Sequence, residues 1–119
     1  MTYEYWTLYK PETKQRLDLR YNKIWDEWEN LISYDSINYE TWKRLPQNLL
    51  SQLPENIRKY GFKTPRNLYY EKYYQEALIR ANELMDAKPN TVKAYELELL
   101  AETIEKYENE HYPMGIDKE

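Results

Sequence analysis

The chain has no cysteine, one histidine, one phenylalanine and only two glycines among its 119 residues. Each scarcity closes a class of function. Without cysteine there is no disulfide framework, no thiolate metal site and no cysteine nucleophile. A single histidine, His111, is too few for a histidine-based metal cluster or a serine-histidine-aspartate triad with a spare ligand. Two glycines cannot build most phosphate-cradling or nucleophile-presenting loops, and no such motif occurs. No apolar stretch approaches the ~20 residues that span a bilayer, and Met1–Trp6 has no basic segment followed by an apolar run. The expectation is therefore a soluble, cytoplasmic protein that uses no cofactor, metal or membrane and is not an enzyme.

What is abundant is tyrosine. Fourteen Tyr and four Trp supply large contact areas, and nearly every ring carries an OH or NH that needs a partner or water. Such a composition excludes whole-chain disorder and favours amphipathic contact surfaces. The net charge is −4, and the imbalance is local. Residues 1–60 carry nine basic and nine acidic side chains, whereas residues 61–119 carry eight and twelve. That distribution argues against DNA binding, which requires several phosphates to be neutralised, and suits a basic protein partner.

Spacing along the chain predicts an all-α protein in one helical domain: two to three long helices, short connecting helices and a C-terminal antiparallel helical hairpin. Residues 1–10 alternate, with Tyr3, Tyr5 and Leu8 on one side, as a short strand or extended arm. From Pro11 to about Ser33, residues Leu17, Tyr21, Ile24, Trp25, Trp28, Leu31 and Ile32 recur at spacings of three and four, which predicts a first helix with its tryptophans in the core. Pro46, Pro54 and Gly61 then divide the chain into short helical turns over 39–45, 47–53 and 55–60. Leu45, Leu49, Leu50, Leu53 and Ile57 face the core, and Gly61 takes a left-handed closing position. Thr64-Pro65 opens a long helix to about Ala87, with Tyr70, Tyr74, Ala77, Leu78, Ala81, Leu84 and Met85 inward. After a linker of about four residues, Thr91 caps a last helix over 92–111, with Leu97, Leu100, Ala101, Ile104 and Tyr107 inward.

Three features invite a functional reading. His111 sits near a helix C-terminus, where a capping role outweighs catalysis. Glu98, Glu102 and Glu105 follow helical spacing, but a di-metal carboxylate bundle needs paired Glu-x-x-His motifs, so a solvated acidic face is the better reading. Tyr69-Tyr70 and Tyr73-Tyr74 lie on successive turns and cannot all point inward, so either Tyr69 and Tyr73 or Tyr70 and Tyr74 face outward as a contact patch.

The order Tyr74–Leu78, Glu83–Thr91, Glu96–Ala101 and Ile104–Pro113 resembles the helical hairpin that precedes the DNA-binding domain of HigA-type antitoxins, over about residues 68–114. The resemblance does not reach residues 1–60, and the family's helix-turn-helix domain is not among these 119 residues. It implies an antitoxin-like module that neutralises a HigB-type toxin, an mRNA-cleaving ribonuclease, and that forms homodimers as such antitoxins often do. The expected function is a non-catalytic inhibitor that covers the RNA-binding or active surface of a basic nuclease. Tyr69, Tyr73, Glu98, Glu102, Glu105 and Tyr112 are its candidate contacts. One alternative is a phage or mobile-element inhibitor of a defence nuclease complex, anti-CRISPR-like. The other is a helical subunit of a nucleoprotein, contacting RNA through Lys43-Arg44 and Arg58-Lys59.

Overall fold

Strand alternation, not helical spacing, organises the first half of the chain. The structure, a computed structural model, describes residues 3–34, 40–64, 68 and 70–112, with the backbone alone at 33 and 34. Within them the chain forms two compact units, 1–63 and 64–119. Five antiparallel strands and four helices replace the expected all-α bundle.

In the first unit, β1 (Tyr3–Lys10), β2 (Gln15–Asn22), β3 (Glu27–Tyr34) and β4 (Glu40–Arg44) form an antiparallel meander. Two helices, α1 (Gln47–Leu50) and α2 (Leu53–Tyr60), follow, and β5 (Gly61–Lys63) returns to the free side of β1. The strand order is β4-β3-β2-β1-β5. The segment 11–33, expected as one helix, is therefore a turn, β2, a second turn and most of β3. The segment 39–45, expected as a helical turn, is mostly β4, and its first residue lies outside the described residues.

Arg16-Leu17-Asp18-Leu19-Arg20-Tyr21 alternates strictly, so β2 has one apolar and one charged side. The register pairs Leu8 with Leu17, Trp6 with Leu19 and Tyr21 with Trp28, which gathers these side chains on one face. Leu8 thus lies opposite Tyr3 and Tyr5, not beside them. Leu8, Leu19, Leu45 and Leu53 are the buried core of this unit, with Trp6, Leu17, Trp28, Leu49, Leu50, Ile57 and Tyr60 packed against it. Each fully buried leucine contributes about 1.5–3 kcal/mol relative to exposure. On the opposite face Arg20 lies over the rings of Tyr3, at 4.2 Å, and Trp42, at 4.6 Å, while its Nε donates to Glu29 at 2.5 Å. The register of β3 on β4 shifts between Leu31 and Ser33, a bulge at Ile32, whose side chain is exposed.

The two hairpin loops, Pro11–Lys14 and Lys23–Asp26, have equal length, and each ends on a residue with positive φ, 60° at Lys14 and 54° at Asp26. Ile24 and Trp25, expected in the core, are in the second loop and are exposed at 72% and 71%. Trp28 alone of the expected tryptophan pair is in the core.

In the second unit, α3 (Glu71–Glu83) and α4 (Val92–His111) pack together through Ala77, Leu84, Leu100 and Ile104. Helix α4 has the bounds expected from the sequence, and the Thr91 side chain accepts from Ala94 N at 3.2 Å. Helix α3 is shorter at both ends than expected. Tyr70 is its extended N-cap residue, and the connection over 84–91 is longer than four residues, with Asn90 in the left-handed region at φ 64°. Tyr70, Met85 and Ala101, expected inside, are exposed.

Gly61 does not close α2 in a left-handed conformation. Its φ of −97° and ψ of 151° are extended, and the glycine is needed for close approach instead. A Cβ at this position would lie 2.8 Å from both Cα and O of Ile57, which are backbone atoms that cannot swing aside. Gly61→Ala is therefore expected to destabilise the first unit by about 1–3 kcal/mol, the usual scale of overpacking. A lowered urea midpoint would show it, and an unchanged midpoint would contradict the close approach.

Candidate protein-binding site

The hairpin of α3 and α4 divides its carboxylates into two sets, those with a bonded partner and those with no partner among the described residues. The first set begins with Glu96, which is only 7% exposed. Its two oxygens accept from Arg80 Nε at 2.8 Å and Nη2 at 2.9 Å, and Arg80 also meets Glu83 at 3.1 Å. Two charge-assisted bonds in fork geometry offset the desolvation of a carboxylate that would otherwise be a liability in this position.

At the other end of the hairpin, Glu71 opens α3, where a negative charge meets the helix dipole favourably. Antiparallel packing brings the end of α4 to it. Glu71 Oε1 accepts from the hydroxyls of Tyr107 at 3.1 Å and Tyr112 at 2.9 Å, and Oε2 accepts from Gln75 at 2.7 Å. Tyr74 donates to Glu108 Oε2 at 2.6 Å. The rings stack in sequence, Tyr74 on Tyr107 with centroids 4.6 Å apart and Tyr107 on His111 at 3.9 Å. His111 Nδ1 is 3.1 Å from the carbonyl oxygen of Tyr107, one turn back.

These hydrogen bonds set the protonation of the cluster. Those from Gln75, Tyr112 and Tyr107 hold the Glu71 carboxyl below its ordinary value. The bond to Glu108 and partial burial push the Tyr74 phenol to about 12, while burial and Glu71 raise that of Tyr107. Tyr112 is raised mainly by its bond to Glu71. A general acid or base works best with a pKa near the operating pH, and these shifts lead away from neutrality on both sides. The cluster is a clasp between helix ends, built from protonated phenols and an ionised carboxylate.

Of the second set, Glu98, Glu102 and Glu105 are the ones that align along one helix face. All three are exposed on α4 at spacings of four and three, so they form one ridge, and none has an ion-pair partner among the described residues. Of the remaining candidate contacts, Tyr73 is 44% exposed on α3, its ring 5.9 Å from that of Tyr70 and under the ammonium of Lys72. Tyr112 is exposed but tied to Glu71 through its hydroxyl. Tyr69 lies outside the described residues. Among the described tyrosines of this group Tyr70 and Tyr73 are exposed and Tyr74 is turned inward, which removes Tyr70 with Tyr74 as the outward pair. Tyr70 precedes the helix and does not share its period.

The sequence reading missed the clasp, although Glu71 and Tyr112 could have been matched once the hairpin was assumed, since the start of one antiparallel helix meets the end of the other. It also missed Ile24 and Trp25 as surface residues, having placed them in a helix. Among the described residues, no group of three or more His, Asp or Glu side chains is placed to hold a metal ion. Nor is any helix there long and apolar enough to cross a membrane. Compared with known proteins, the chain matches no family model, no curated protein and no solved structure.

The raised phenol predicts a specific titration. Tyr74 stabilises the hairpin as a neutral donor, so its contribution is full below pH 10 and is lost as the pH rises from there through about 12. Near-ultraviolet tyrosinate absorbance should show a late step that Tyr74→Phe removes. In acid the sign reverses: the Glu71 contribution is present above its ordinary value of 4.5 and is lost as the pH falls through its lowered value. Glu71→Gln should flatten the acid limb of a thermal-melt series, and an unaltered limb would remove Glu71 from the clasp.

Proposed function

We propose that the chain is a non-catalytic, antitoxin-like binding protein that neutralises a basic nuclease of the mRNA-cleaving kind by covering its RNA-binding surface. The observation that carries this reading is the ridge of Glu98, Glu102 and Glu105. Three carboxylates align along α4 with no ion-pair partner among the described residues, whereas Glu96 and Glu108 of the same helix are engaged within the hairpin. A row of negative charge offers a nuclease what its RNA backbone offers, and complementary fields speed association. Tyr70 and Tyr73 add the exposed ring area that interfaces favour. The resemblance of residues 68–114 to the hairpin of HigA-type antitoxins supports the same partner class.

The nucleoprotein alternative gains less support. Of the two basic pairs, Arg44 is bonded to Glu27 and Arg58 to Glu55, so half of their charge is already compensated. Trp6 and Trp28 pack against the core, and Trp42 lies under Arg20, which leaves few indoles for stacking on bases.

Joint replacement of Glu98, Glu102 and Glu105 by Lys tests the proposal, because Lys and Glu have similar helix propensities and the fold should persist. With a HigB-type ribonuclease as the probe, the unaltered chain should block mRNA cleavage. The triple variant should associate about 10- to 100-fold more slowly at low salt, within the range that electrostatic steering spans. Undiminished cleavage in the presence of the unaltered chain would refute this reading.

A further inference from the structure

We infer that strand β4 pairs antiparallel with β4 of a second copy of this chain, about a two-fold axis at Trp42, and so joins two five-stranded sheets edge to edge. The inference rests on this strand and its neighbours in the first unit. It uses neither the α4 ridge nor the resemblance of residues 68–114.

The backbone sets the register. Among the described residues β4 is an edge of the sheet, bonded to β3 on one side and to no strand on the other. In an antiparallel ladder, opposite residues alternate between pairs that exchange N–H···O bonds and pairs that do not. The Leu45 N–H donates to the Trp28 carbonyl oxygen at 2.9 Å, and Arg44 with Glu29, Lys43 with Asn30 and Trp42 with Leu31 continue that register without a shift. Lys43 therefore turns its backbone groups toward β3, and Arg44 and Trp42 turn theirs outward. Those outward groups have no partner among the described residues. The bulge at Ile32 adds its residue to β3, so Glu40 keeps the same alternation. Two β4 strands centred on Trp42 set Trp42 against Trp42 and Glu40 against Arg44 on both sides of the axis. In no other antiparallel register do all three outward positions meet outward positions.

The side chains select a second copy as the occupant. Glu40, Trp42 and Arg44 share one face: the Trp42 indole N–H donates to Glu40 at 3.3 Å, and Arg44 is bonded to Glu27. A guanidinium has five donors and a carboxylate about four acceptor positions, so Arg44 and Glu40 both keep capacity for a bond across the axis. Arg20 lies over Trp42 and is bonded to Glu29. On β4 and the groups against it, Glu27, Glu29 and Glu40 thus balance Arg20, Lys43 and Arg44. A patch without net charge does not repel its own copy, and opposite signs at its two ends favour the antiparallel arrangement. On the other face Lys43 meets Thr41, so no like charges are opposed. Charged residues on an edge deter indiscriminate strand pairing. Here the same charges admit a strand that carries them in reverse order, and β4 read antiparallel is that strand. The Trp42 ring is already 5.9 Å from that of Tyr5, so the second tryptophan extends an existing aromatic row.

Sedimentation of the full chain tests the pairing. A single pair of short strands is a small interface, so the mass should rise toward twice 14.7 kDa only as the concentration approaches about 1 mM. Glu40→Arg and Arg44→Glu, each alone, oppose like charges across the axis and should weaken self-association by about 10-fold or more. Mixed in equal amounts, the two variants should associate with each other as the unaltered chain does with itself. Register is read separately with Thr41→Cys and Lys43→Cys, each of which supplies the one thiol of an otherwise cysteine-free chain. Under mild oxidation the mixture should form a disulfide-linked dimer, and neither variant should do so alone, because positions 41 and 43 are opposite each other only between copies. Should either charge variant lose its circular dichroism spectrum, the cysteine mixture decides, since it leaves Glu40 and Arg44 in place. A monomer at every concentration, self-association that both charge variants leave unchanged, or crosslinking of Thr41→Cys to itself as fast as to Lys43→Cys would each overturn the inference.

Discussion

The register of β2 against its two neighbours is the constraint on which the first unit depends. Leu19 is completely buried, opposite Trp6 on β1 and Asn30 on β3, and the leucines of α1, α2 and the chain before them close over the same face. Side chains on a strand alternate with a period of two, so a slip of one residue would place Asp18 and Arg20 in the core and turn Leu17 and Leu19 outward. Burying two charges in exchange for two leucines costs far more than the unit's whole margin of stability. The same register fixes where β2 ends, and therefore sets Ile24 and Trp25 at the turn, outside any core.

The second unit is held by a different balance. Its apolar core, Ala77, Leu84, Leu100 and Ile104 with Leu78, Ala81 and Leu97 packed against them, is supplemented by polar links at both ends. Arg80 with Glu96 and Glu83 secures the hairpin near the connection, and the Glu71 clasp with Tyr107 and Tyr112 secures the open end. Tyrosine suits this arrangement, because each ring stacks in the interface while its hydroxyl reaches a carboxylate at the rim. What the helices do not use internally is left on the surface. The proposed contact groups of α4, Glu98, Glu102 and Glu105, have no ion-pair partner among the described residues.

How much of this could be read from the sequence follows from the two periodicities. Helix α4 and its Thr91 cap were legible, because Leu97, Leu100, Ile104 and Tyr107 keep helical spacing across about three turns without a competing pattern. Over residues 17–28 the two patterns coincide. Leu17 and Tyr21 are one helical turn apart and also two strand steps apart, so their spacing does not discriminate, and Leu19 between them is the residue that does. The turn at Lys23–Asp26 contains neither glycine nor proline, and its shape comes from the Asn22 side chain and from Asp26 at positive φ, which spacing alone does not reveal. The acidic ridge was legible because it requires only that α4 be a helix. The clasp was not, since it depends on how one helix end meets another.

Amide hydrogen exchange of the full chain, alone and in complex with the partner that copurifies with it from its native host, tests the account's central claim most directly. If the contact groups are the α4 carboxylates without an ion-pair partner among the described residues, protection should rise along the Glu98–Glu105 segment of α4, with little change around Glu71 and Tyr107. Protection centred on the clasp, with the Glu98–Glu105 segment unchanged, would contradict it.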